Sequence, residues 1–325
     1  MLLQLVILFL LLLLSAYVYY RYAIKTNILD TPSKRSSHTI PTVRGGGIVF
    51  FLAVILFFIM QQKIAYPYFF TGFLLLSILG FIDDKKTLSA KLRFPFQLVA
   101  IALILYDAGL FENNLSLLIK IVGFITAVGF INAFNFMDGI NGITGFYTAS
   151  IVFPLLYINI NYDIFPQEWF WVILVAIIVF GFFNFRKNAL MFAGDIGSMA
   201  LASLLLFWLT KIMVELQSPI LLALVVIYGV DSAWTIMYRL RNKENIFEAH
   251  RWHLYQKFVD DWHFSHLKVA ILYSGVQLLI SFISLQFIQY SIKVQLFVTI
   301  VIYLLFSGIY FFAQKYFKKK KRNLL

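Results

Sequence analysis

Long apolar stretches alternate with short polar connections along almost the whole chain. A helix needs about 20 apolar residues to span the hydrocarbon core of a bilayer, and stretches of about this length recur throughout. Eleven are found, at residues 2–20, 45–62, 66–82, 96–111, 115–131, 143–160, 168–185, 194–213, 216–233, 267–288 and 293–314. The pattern predicts an all-α fold, a polytopic transmembrane helical bundle of about 11 spans. Since no internal repeat or separate soluble segment stands out, residues 1–325 are predicted to form a single domain.

The composition supports a membrane protein. Hydrophobic residues make up 61% of the chain and charged residues only 13%, against roughly 25% charged residues in soluble domains. A soluble globule is therefore excluded. The chain contains no cysteine, which also excludes disulfides and thiolate metal sites.

The basic residues are distributed unevenly between the two sides of this predicted bundle. If the connections are assigned alternately to the two sides, 23 of the 27 Lys and Arg residues fall on one side, and the exceptions are Lys63, Lys120, Lys211 and Lys293. By the positive-inside rule that side is cytoplasmic. The Leu-rich first stretch is then a retained anchor with an external N-terminus, and the C-terminus is cytoplasmic. The net charge of +12 is thus a topology signal, and no nucleic-acid partner is predicted.

Most acidic and polar residues fall on or beside the same cytoplasmic connections. They are Asp30, Asp83, Asp84, Asp138, Asp195, Asp231, Glu244, Glu248, Asp260 and Asp261, with Asn132, Asn135, Asn141 and all five histidines. Carboxylates at membrane depth are costly and rarely without a role. Glu244, Glu248, Asp260 and Asp261 are explained equally well as ordinary loop residues. The positions of the other residues predict one shared site, formed by cytoplasmic active-site loops.

Adjacent carboxylates Asp83 and Asp84 end one of the predicted spans. Acids at a helix C-terminus are disfavoured by the macrodipole, so a cation should compensate them. Lys85 and Lys86 are one choice, and a hard divalent cation held by carboxylate oxygens is the other.

A second motif places Asn132, Asn135 and Asp138 three residues apart, followed by Asn141. On a helix the first three would form one polar stripe. The Asp138-Gly139 pair is also a turn signal, but a turn alone does not need the upstream asparagines. The motif therefore favours a functional role.

Asp195 begins the eighth stretch between two glycines. Asp is a preferred N-cap, while a helix N-terminus with flanking glycines also suits a phosphate. Considered alone, Asp195 is better explained as an N-cap. Considered together with Asp83 and Asp84, it is better explained as part of a functional site.

Two further cytoplasmic segments are candidates for ligand binding. The first loop combines Lys34, Arg44 and the glycines around Gly46, and is typical of an anion-binding surface. The longest cytoplasmic loop carries His250, Arg251 and His253. Two histidines are too few for catalytic zinc, so contact with a ligand is predicted there instead of a metal site.

Carboxylates and basic groups together at one site indicate metal-bridged diphosphate chemistry. The rival class is a membrane transporter or lipid flippase, whose site would lie near the bilayer midplane between repeated halves. A non-catalytic scaffold would leave the clustered carboxylates without a purpose.

The motifs in this order resemble those of the polyprenyl-phosphate N-acetylhexosamine-1-phosphate transferases, glycosyltransferase family 4. The resemblance spans roughly residues 30–256 and rests on Asp30-Thr-Pro-Ser, His38, Pro41, Gly45-Gly-Gly, Asp83-Asp84, Asn132, Asn135, Asp138-Gly-Ile-Asn141-Gly, Gly194-Asp195-Ile-Gly-Ser198, His250 and His253. It implies transfer of a sugar-1-phosphate from a UDP-sugar to undecaprenyl phosphate with Mg²⁺ and release of UMP, at the cytoplasmic membrane of a bacterium. The sequence leaves open whether the transfer is direct or passes through a covalent aspartyl intermediate. Such a reaction starts O-antigen, capsule, teichoic-acid and peptidoglycan synthesis.

The same resemblance implies roles for individual residues. Asp83, Asp84, Asp138 and Asp195 would be the catalytic carboxylates, and all of them except Asp138 would also hold the metal. Asp138, with Asn135, would belong to the nucleotide site. Asn141 stands where family members usually have Asp, although its carbonyl can still accept from uracil N3–H. The histidine motif is shortened, which is more similar to the O-antigen and capsule initiators than to the peptidoglycan enzyme. The oligomeric state stays open, a homodimer included.

Overall fold

A computed structural model describes residues 2–32, 40–112, 114–245 and 251–322, and the side chains of these residues up to Tyr316. Its helices are α1 (Leu2–Lys25), α2 (Ile48–Gln61), α3 (Pro67–Lys85), α4 (Ala90–Asp107), α5 (Leu117–Phe136), α6 (Ile143–Tyr162), α7 (Gln167–Asn184), α8 (Gly194–Glu215), α9 (Val226–Arg241), α10 (Leu254–Asp260), α11 (His266–Leu285) and α12 (Ile292–Arg322). A 3₁₀ helix, Pro219–Val225, precedes α9. Strands β1 (Leu29–Asp30) and β2 (Thr42–Val43) form one short antiparallel pair.

The predicted all-α membrane fold is confirmed, and each of the eleven apolar stretches contains a helix. In the described residues, nine helices are long and apolar enough to cross a membrane, with the 3₁₀ helix and α9 counted as one. The other two are α2 and α4. Helix α2 has only 14 residues, which at about 1.5 Å per residue is shorter than a hydrocarbon core of about 30 Å. Helix α4 carries Lys91, Arg93 and Asp107 within its 18 residues.

Contacts between helix ends show which ends of six helices lie together. The Tyr19 hydroxyl near the end of α1 donates to the Arg44 carbonyl just before α2. The end of α3 meets the start of α8 where Asp195 N donates to Asp84. The backbone of Asn141, before α6, donates to His266 at the start of α11. These ends therefore lie at one pole of the bundle, here called the site pole.

Helix α8 lies at the centre of the bundle. In its most apolar stretch 89% of the residues are buried, against 17% in the corresponding stretch of α5 and 11% in that of α12. A fully buried apolar helix belongs to the interior, whereas helices with exposed apolar faces suit contact with lipid. Far from the site pole, the core is aromatic, with Phe57 stacked on Trp169 at 4.7 Å and Phe69 on Phe207 at 4.2 Å between ring centroids.

The ninth span is interrupted where the 3₁₀ helix gives way to α9. The first amides of α9 need acceptors, because an unbonded backbone group is expensive inside a membrane. Gln277 Oε1 accepts from Ile227 N at 3.1 Å, and the Tyr147 hydroxyl accepts from Tyr228 N at 3.1 Å. Tyr147 in turn donates to Gln277 at 2.9 Å. Two buried polar side chains thus stabilise the break.

Candidate active site

Asp84 joins the end of α3 to the start of α8. Its carboxylate oxygens accept from the backbone amides of Asp195 at 3.0 Å and Ile196 at 3.1 Å. These amides belong to the first turn of α8, where backbone N–H groups have no acceptor within the helix itself. The N-cap position of α8 is Ala193, without a side-chain cap. The alternative interpretation of Asp195 as an N-cap is therefore wrong, and Asp84 supplies the acceptor from a neighbouring helix.

Gly194 makes this approach possible. Its φ of +71° is in the left-handed region, and a Cβ there would lie 2.5 Å from Asp84 Oδ2. A side chain would thus be strained and would push the carboxylate away from the α8 amides.

Arg93, in the first turn of α4, links the other two carboxylates. Its Nη1 lies 2.8 Å from Asp83 Oδ2 and 3.1 Å from Asp195 Oδ2. Arg44 Nε lies 3.6 Å from Asp84 Oδ1. The cations that compensate the carboxylates are therefore arginines. The suggested compensation by lysine is wrong for Lys85, which lies against the rings of Tyr22 and Phe81, and Lys86 is exposed without a described partner.

The residues present fit a hard divalent cation in their chemistry. Asp83, Asp84 and Asp195 bring three carboxylates to the site pole, each in an ion pair with Arg44 or Arg93, and Asp138 lines the same cavity as Asp195. Carboxylate oxygens are the ligands that Mg²⁺ prefers. In the described residues, however, no three acids or histidines stand in an arrangement that could hold a metal ion. The Asp84 oxygens already accept hydrogen bonds from amides of α8, and the Arg93 guanidinium lies between Asp83 and Asp195.

A polar cavity of about 220 Å³ opens beside these carboxylates. Its lining residues come from six segments and include Asp30, Arg44, Asn135, Asp138, Gly139, Asn184, Phe192, Gly194, Asp195, Arg251 and Gln256. The cavity thus brings together Arg44, Asn135, Asp138, Asp195 and Arg251 from the sequence-predicted site. Asp83 and Asp84 do not line it.

Asp138 follows the end of α5, in the turn that leads to α6. Its carboxylate accepts a hydrogen bond from the Thr144 hydroxyl. Desolvation by the surrounding protein, together with the negative charge of Asp84, raises the pKa of Asp138 to about 6, although the Thr144 hydrogen bond favours the charged form. A carboxyl group of this kind holds or releases a proton near neutral pH.

The predicted polar stripe is only partly correct. Asn135 lines the polar cavity, but Asp138 lies beyond the end of α5. Asn132 Nδ2 donates to the Val128 carbonyl of its own helix at 2.8 Å, and Asn132 does not line the cavity. Its predicted role in substrate binding therefore has no geometric support in this arrangement.

Asn141 lies in a second, larger cavity of about 800 Å³ at the same pole. Its Nδ2 donates to the carbonyls of Arg186 and Lys187, both at 3.0 Å. Two carbonyl acceptors fix which end of the amide is nitrogen, so Oδ1 is the remaining acceptor. No group in the described part of the chain donates to Oδ1. Phe192 lines both cavities and so lies at their junction.

The glycine run after Arg44 packs against α8 and its preceding loop. Gly46 N donates to the Phe192 carbonyl at 2.8 Å, and Gly47 N to the Ala193 carbonyl at 2.9 Å. A Cβ at Gly47 would lie 2.2 Å from Gly197 Cα. The interpretation of Gly46 as an anion-binding amide is therefore wrong, because these amides are already bonded and the glycines allow two backbones to touch. Lys34 and His38 of the same loop lie outside the described residues.

The histidine motif also differs from its prediction. His253 is 2% exposed, is the N-cap residue of α10, and has its Nδ1 3.3 Å from Asp231 Oδ1. It thus lies in a buried cluster and does not line either cavity, so the predicted ligand contact at His253 is not supported. Arg251 does line the polar cavity. His250 lies outside the described residues.

Two acids explained as ordinary loop residues have partners. Asp260 accepts from Arg251 Nη2 at 2.6 Å and from Arg251 Nε at 2.9 Å. Glu244 accepts from Arg239 at 3.2 Å. Asp260 thus orients a cavity residue, and the ordinary-loop interpretation is wrong for it. Exposed Asp261 keeps that interpretation.

Some residues of the site were missed in the sequence. Arg93 could have been found, because the connection from α3 to α4 has only four residues and so returns the chain to Asp83. Asn184 carries no such signal. It accepts from Gly142 N at 2.7 Å and donates to the Met191 carbonyl at 2.8 Å, and thereby joins the Asp138 turn to the loop before α8.

Fold and site together define a polytopic membrane protein with an acidic and arginine-rich centre where its helix ends converge. Residues 66–215, from α3 to α8, match the model of glycosyl transferase family 4. The chain is also 23% identical over 283 residues to a Bacillus subtilis (strain 168) protein described as "Probable undecaprenyl-phosphate N-acetylglucosaminyl 1-phosphate transferase", with 78% of this chain and 75% of that protein covered. Both comparisons support the resemblance to glycosyl transferase family 4 that the sequence motifs indicated.

Proposed function

We propose that this protein transfers a sugar-1-phosphate, of the N-acetylhexosamine type, from a UDP-sugar to undecaprenyl phosphate. The products are undecaprenyl-diphosphate-sugar and UMP, and the reaction is the first membrane step of cell-surface polysaccharide synthesis. The observation that carries this proposal is the convergence of Asp83, Asp84 and Asp195 with Arg44 and Arg93 beside a polar cavity at the site pole. The B. subtilis relative, described as a probable undecaprenyl-phosphate N-acetylglucosaminyl 1-phosphate transferase, supports the proposal.

The arrangement suits a diphosphate substrate. Arg44 and Arg251 line the polar cavity, and guanidinium groups bind phosphate oxygens bidentately. Asp83 and Asp195 would hold Mg²⁺, and Asp84 would hold the start of α8 in place through its backbone amides. Bound Mg²⁺ would neutralise charge that develops on the leaving UMP. The protein's own contribution is to fix the donor phosphates in the cavity and to exclude alternative orientations.

The acceptor needs little activation. A phosphate monoester has its second pKa near 6 and is therefore largely dianionic at neutral pH. One of its oxygens attacks the β-phosphorus of the UDP-sugar, the bond to the UMP oxygen breaks, and UMP leaves. Asp138, with its pKa raised to about 6, lies in the cavity where a proton on a phosphate oxygen could be accepted.

The larger cavity supports recognition of the nucleoside. Asn141 Oδ1 is held as an acceptor by the two carbonyls that its Nδ2 bonds, and uracil N3–H is a donor. Phe192 at the junction of the two cavities offers an aromatic face beside this position. A UDP-sugar would then place uracil near Asn141 and its phosphates near Asp195.

UMP release provides the direct test of this function. Purified protein in detergent, incubated with undecaprenyl phosphate, Mg²⁺ and a panel of UDP-sugars, should release UMP with at least one donor and form the matching lipid-linked sugar. Omission of undecaprenyl phosphate is the control. Absence of UMP with every donor, from protein that remains monodisperse and folded, would contradict the proposal.

The site pole is proposed to face the cytoplasm of a bacterial cell, in the inner membrane. The support is the distribution of 23 of the 27 basic residues on that side. After Leu325, a reporter that works only in the cytoplasm should be active, and one that works only outside should be inactive. Near Lys63 the two reporters should give the opposite result. A reversed result at both positions would overturn the topology.

A transporter is disfavoured by the placement of the polar groups. Transporter sites lie near the bilayer midplane, where helices are interrupted. The interruption before α9 is filled by Gln277 and Tyr147, which bond the freed amides. The acids instead gather where helices end.

A further inference from the structure

Asp231 is a buried carboxylate on α9 that receives an unusual number of hydrogen bonds. It is 2% exposed. Its Oδ1 accepts from Leu254 N at 2.9 Å and lies 3.3 Å from His253 Nδ1, and its Oδ2 accepts from the Tyr273 hydroxyl at 2.9 Å and from Tyr255 N at 3.4 Å. Burial of a charge is tolerated only with such partners. Asp231 therefore fixes the start of α10 against α9 and α11.

The segment held in this way reaches the polar cavity. Arg251 and Gln256, on either side of the residues bound by Asp231, both line the cavity. Gln256 Oε1 accepts from His253 N at 3.3 Å, so the loop before α10 and the helix itself are joined. Arg251 is oriented by Asp260 at the other end of α10.

Helix α10 also touches the turn that carries Asp138. The Tyr255 hydroxyl donates to the Phe136 carbonyl at 3.2 Å, and it lies so near Gly139 that a Cβ there would meet it at 2.0 Å. A shift of α10 would therefore move Arg251 and disturb the Asp138 turn together.

We propose that Asp231 is a positioning residue, which acts through Arg251 and α10 to shape the polar cavity for the phosphates of the sugar-nucleotide donor. The proposal rests on the proposed function. Asp231 does not line either cavity. It acts on the donor only by holding the backbone of residues 254 and 255 in place.

Asp231→Asn tests this role. An Asn side chain offers one acceptor oxygen, and its amide nitrogen would face a donor. We expect the KM for the UDP-sugar to rise by about 10- to 100-fold, the range for loss of hydrogen bonds to a charged group. Mg²⁺ binding, measured by calorimetry on the protein without substrate, should stay unchanged, because Asp83, Asp84 and Asp195 lie on other helices.

A double-mutant cycle with Arg251→Ala separates positioning from general damage. If Asp231 acts through Arg251, Asp231→Asn should raise KM much less in the Arg251→Ala background than in the wild type. Exposed Asp261→Asn, at the end of α10, is the matched control and should leave KM and kcat unchanged. Additive effects, or an unchanged KM in Asp231→Asn, would overturn the proposal.

A milder variant provides a second test in case Asp231→Asn does not fold. Tyr273→Phe removes one donor to Asp231 without a change of charge, and we expect a KM rise of a few-fold that again disappears in the Arg251→Ala background. If Asp231→Asn does not fold, this second cycle decides, and additive effects or an unchanged KM there would also overturn the proposal. Failure of the proposed function is recognised separately, since the wild type would then release no UMP from any donor.

Discussion

Asp195→Asn is expected to reduce the rate of UMP release by about 100-fold or more while the fold is retained. Changes to residues that merely support metal ligands typically cost about 10- to 100-fold, and Asp195 is proposed as a ligand itself. Its carboxylate makes no cap to α8 and contacts Arg93, so an amide of the same shape removes charge without loss of a helix cap. Rate and melting temperature should be measured on the same preparation.

The Mg²⁺ dependence makes this result specific. Titration of UMP release with Mg²⁺ should show a weaker apparent affinity in Asp195→Asn, and calorimetry without substrate should show the same shift. Asp261→Asn should match the wild type in both. An Asp195→Asn enzyme with unchanged rate and Mg²⁺ dependence, or wild-type activity that survives thorough chelation, would remove Asp195 from a metal site.

Asp84→Asn makes a useful contrast because its two oxygens bind the amides of Asp195 and Ile196. An Asn there places an NH₂ group against a backbone donor. Both the melting temperature and the rate should therefore fall, whereas in Asp195→Asn only the rate should fall.

The placement of the helices could be predicted because bilayer thickness forces a repeated length on the sequence. The convergence of Asp83, Asp138 and Asp195 followed from the side on which each connection falls. Their partners could not be predicted in the same way. Whether Asp195 caps its own helix or receives a cap from Asp84 depends on how α3 packs on α8, and no local pattern records that packing.

The glycine run shows another limit of local reasoning. Exposed amides and close backbone packing both favour glycine, and the sequence around Gly46 is the same in either case. Only the hydrogen bond from Gly46 to the Phe192 carbonyl distinguishes them. Asp231 is different, since an ionisable residue within an apolar stretch is a functional candidate by default, and its position alone was a signal.

Arg93→Gln is expected to change metal binding and catalysis in opposite directions. In the described arrangement Arg93 Nη1 lies between Asp83 Oδ2 and Asp195 Oδ2 at 2.8 and 3.1 Å, so its charge occupies the position that a divalent cation would have to share. Removal of a competing charge at this distance should tighten Mg²⁺ binding by about tenfold, after allowance for partial exposure of the side chain.

The rate of UMP release should nevertheless fall by about 100-fold in Arg93→Gln. A guanidinium that Mg²⁺ displaces from Asp83 and Asp195 is a positive charge next to them that would stabilise the transferring phosphate, and loss of one such donor typically costs about 100- to 1000-fold. Calorimetry with Mg²⁺ alone and steady-state rates at saturating Mg²⁺ measure the two effects independently. Arg93→Lys, which keeps the charge, should bind Mg²⁺ about as the wild type does. Weaker Mg²⁺ binding in Arg93→Gln would show that Arg93 supports the metal site instead of competing for its carboxylates, and an unchanged rate would show that it has no part in the transfer.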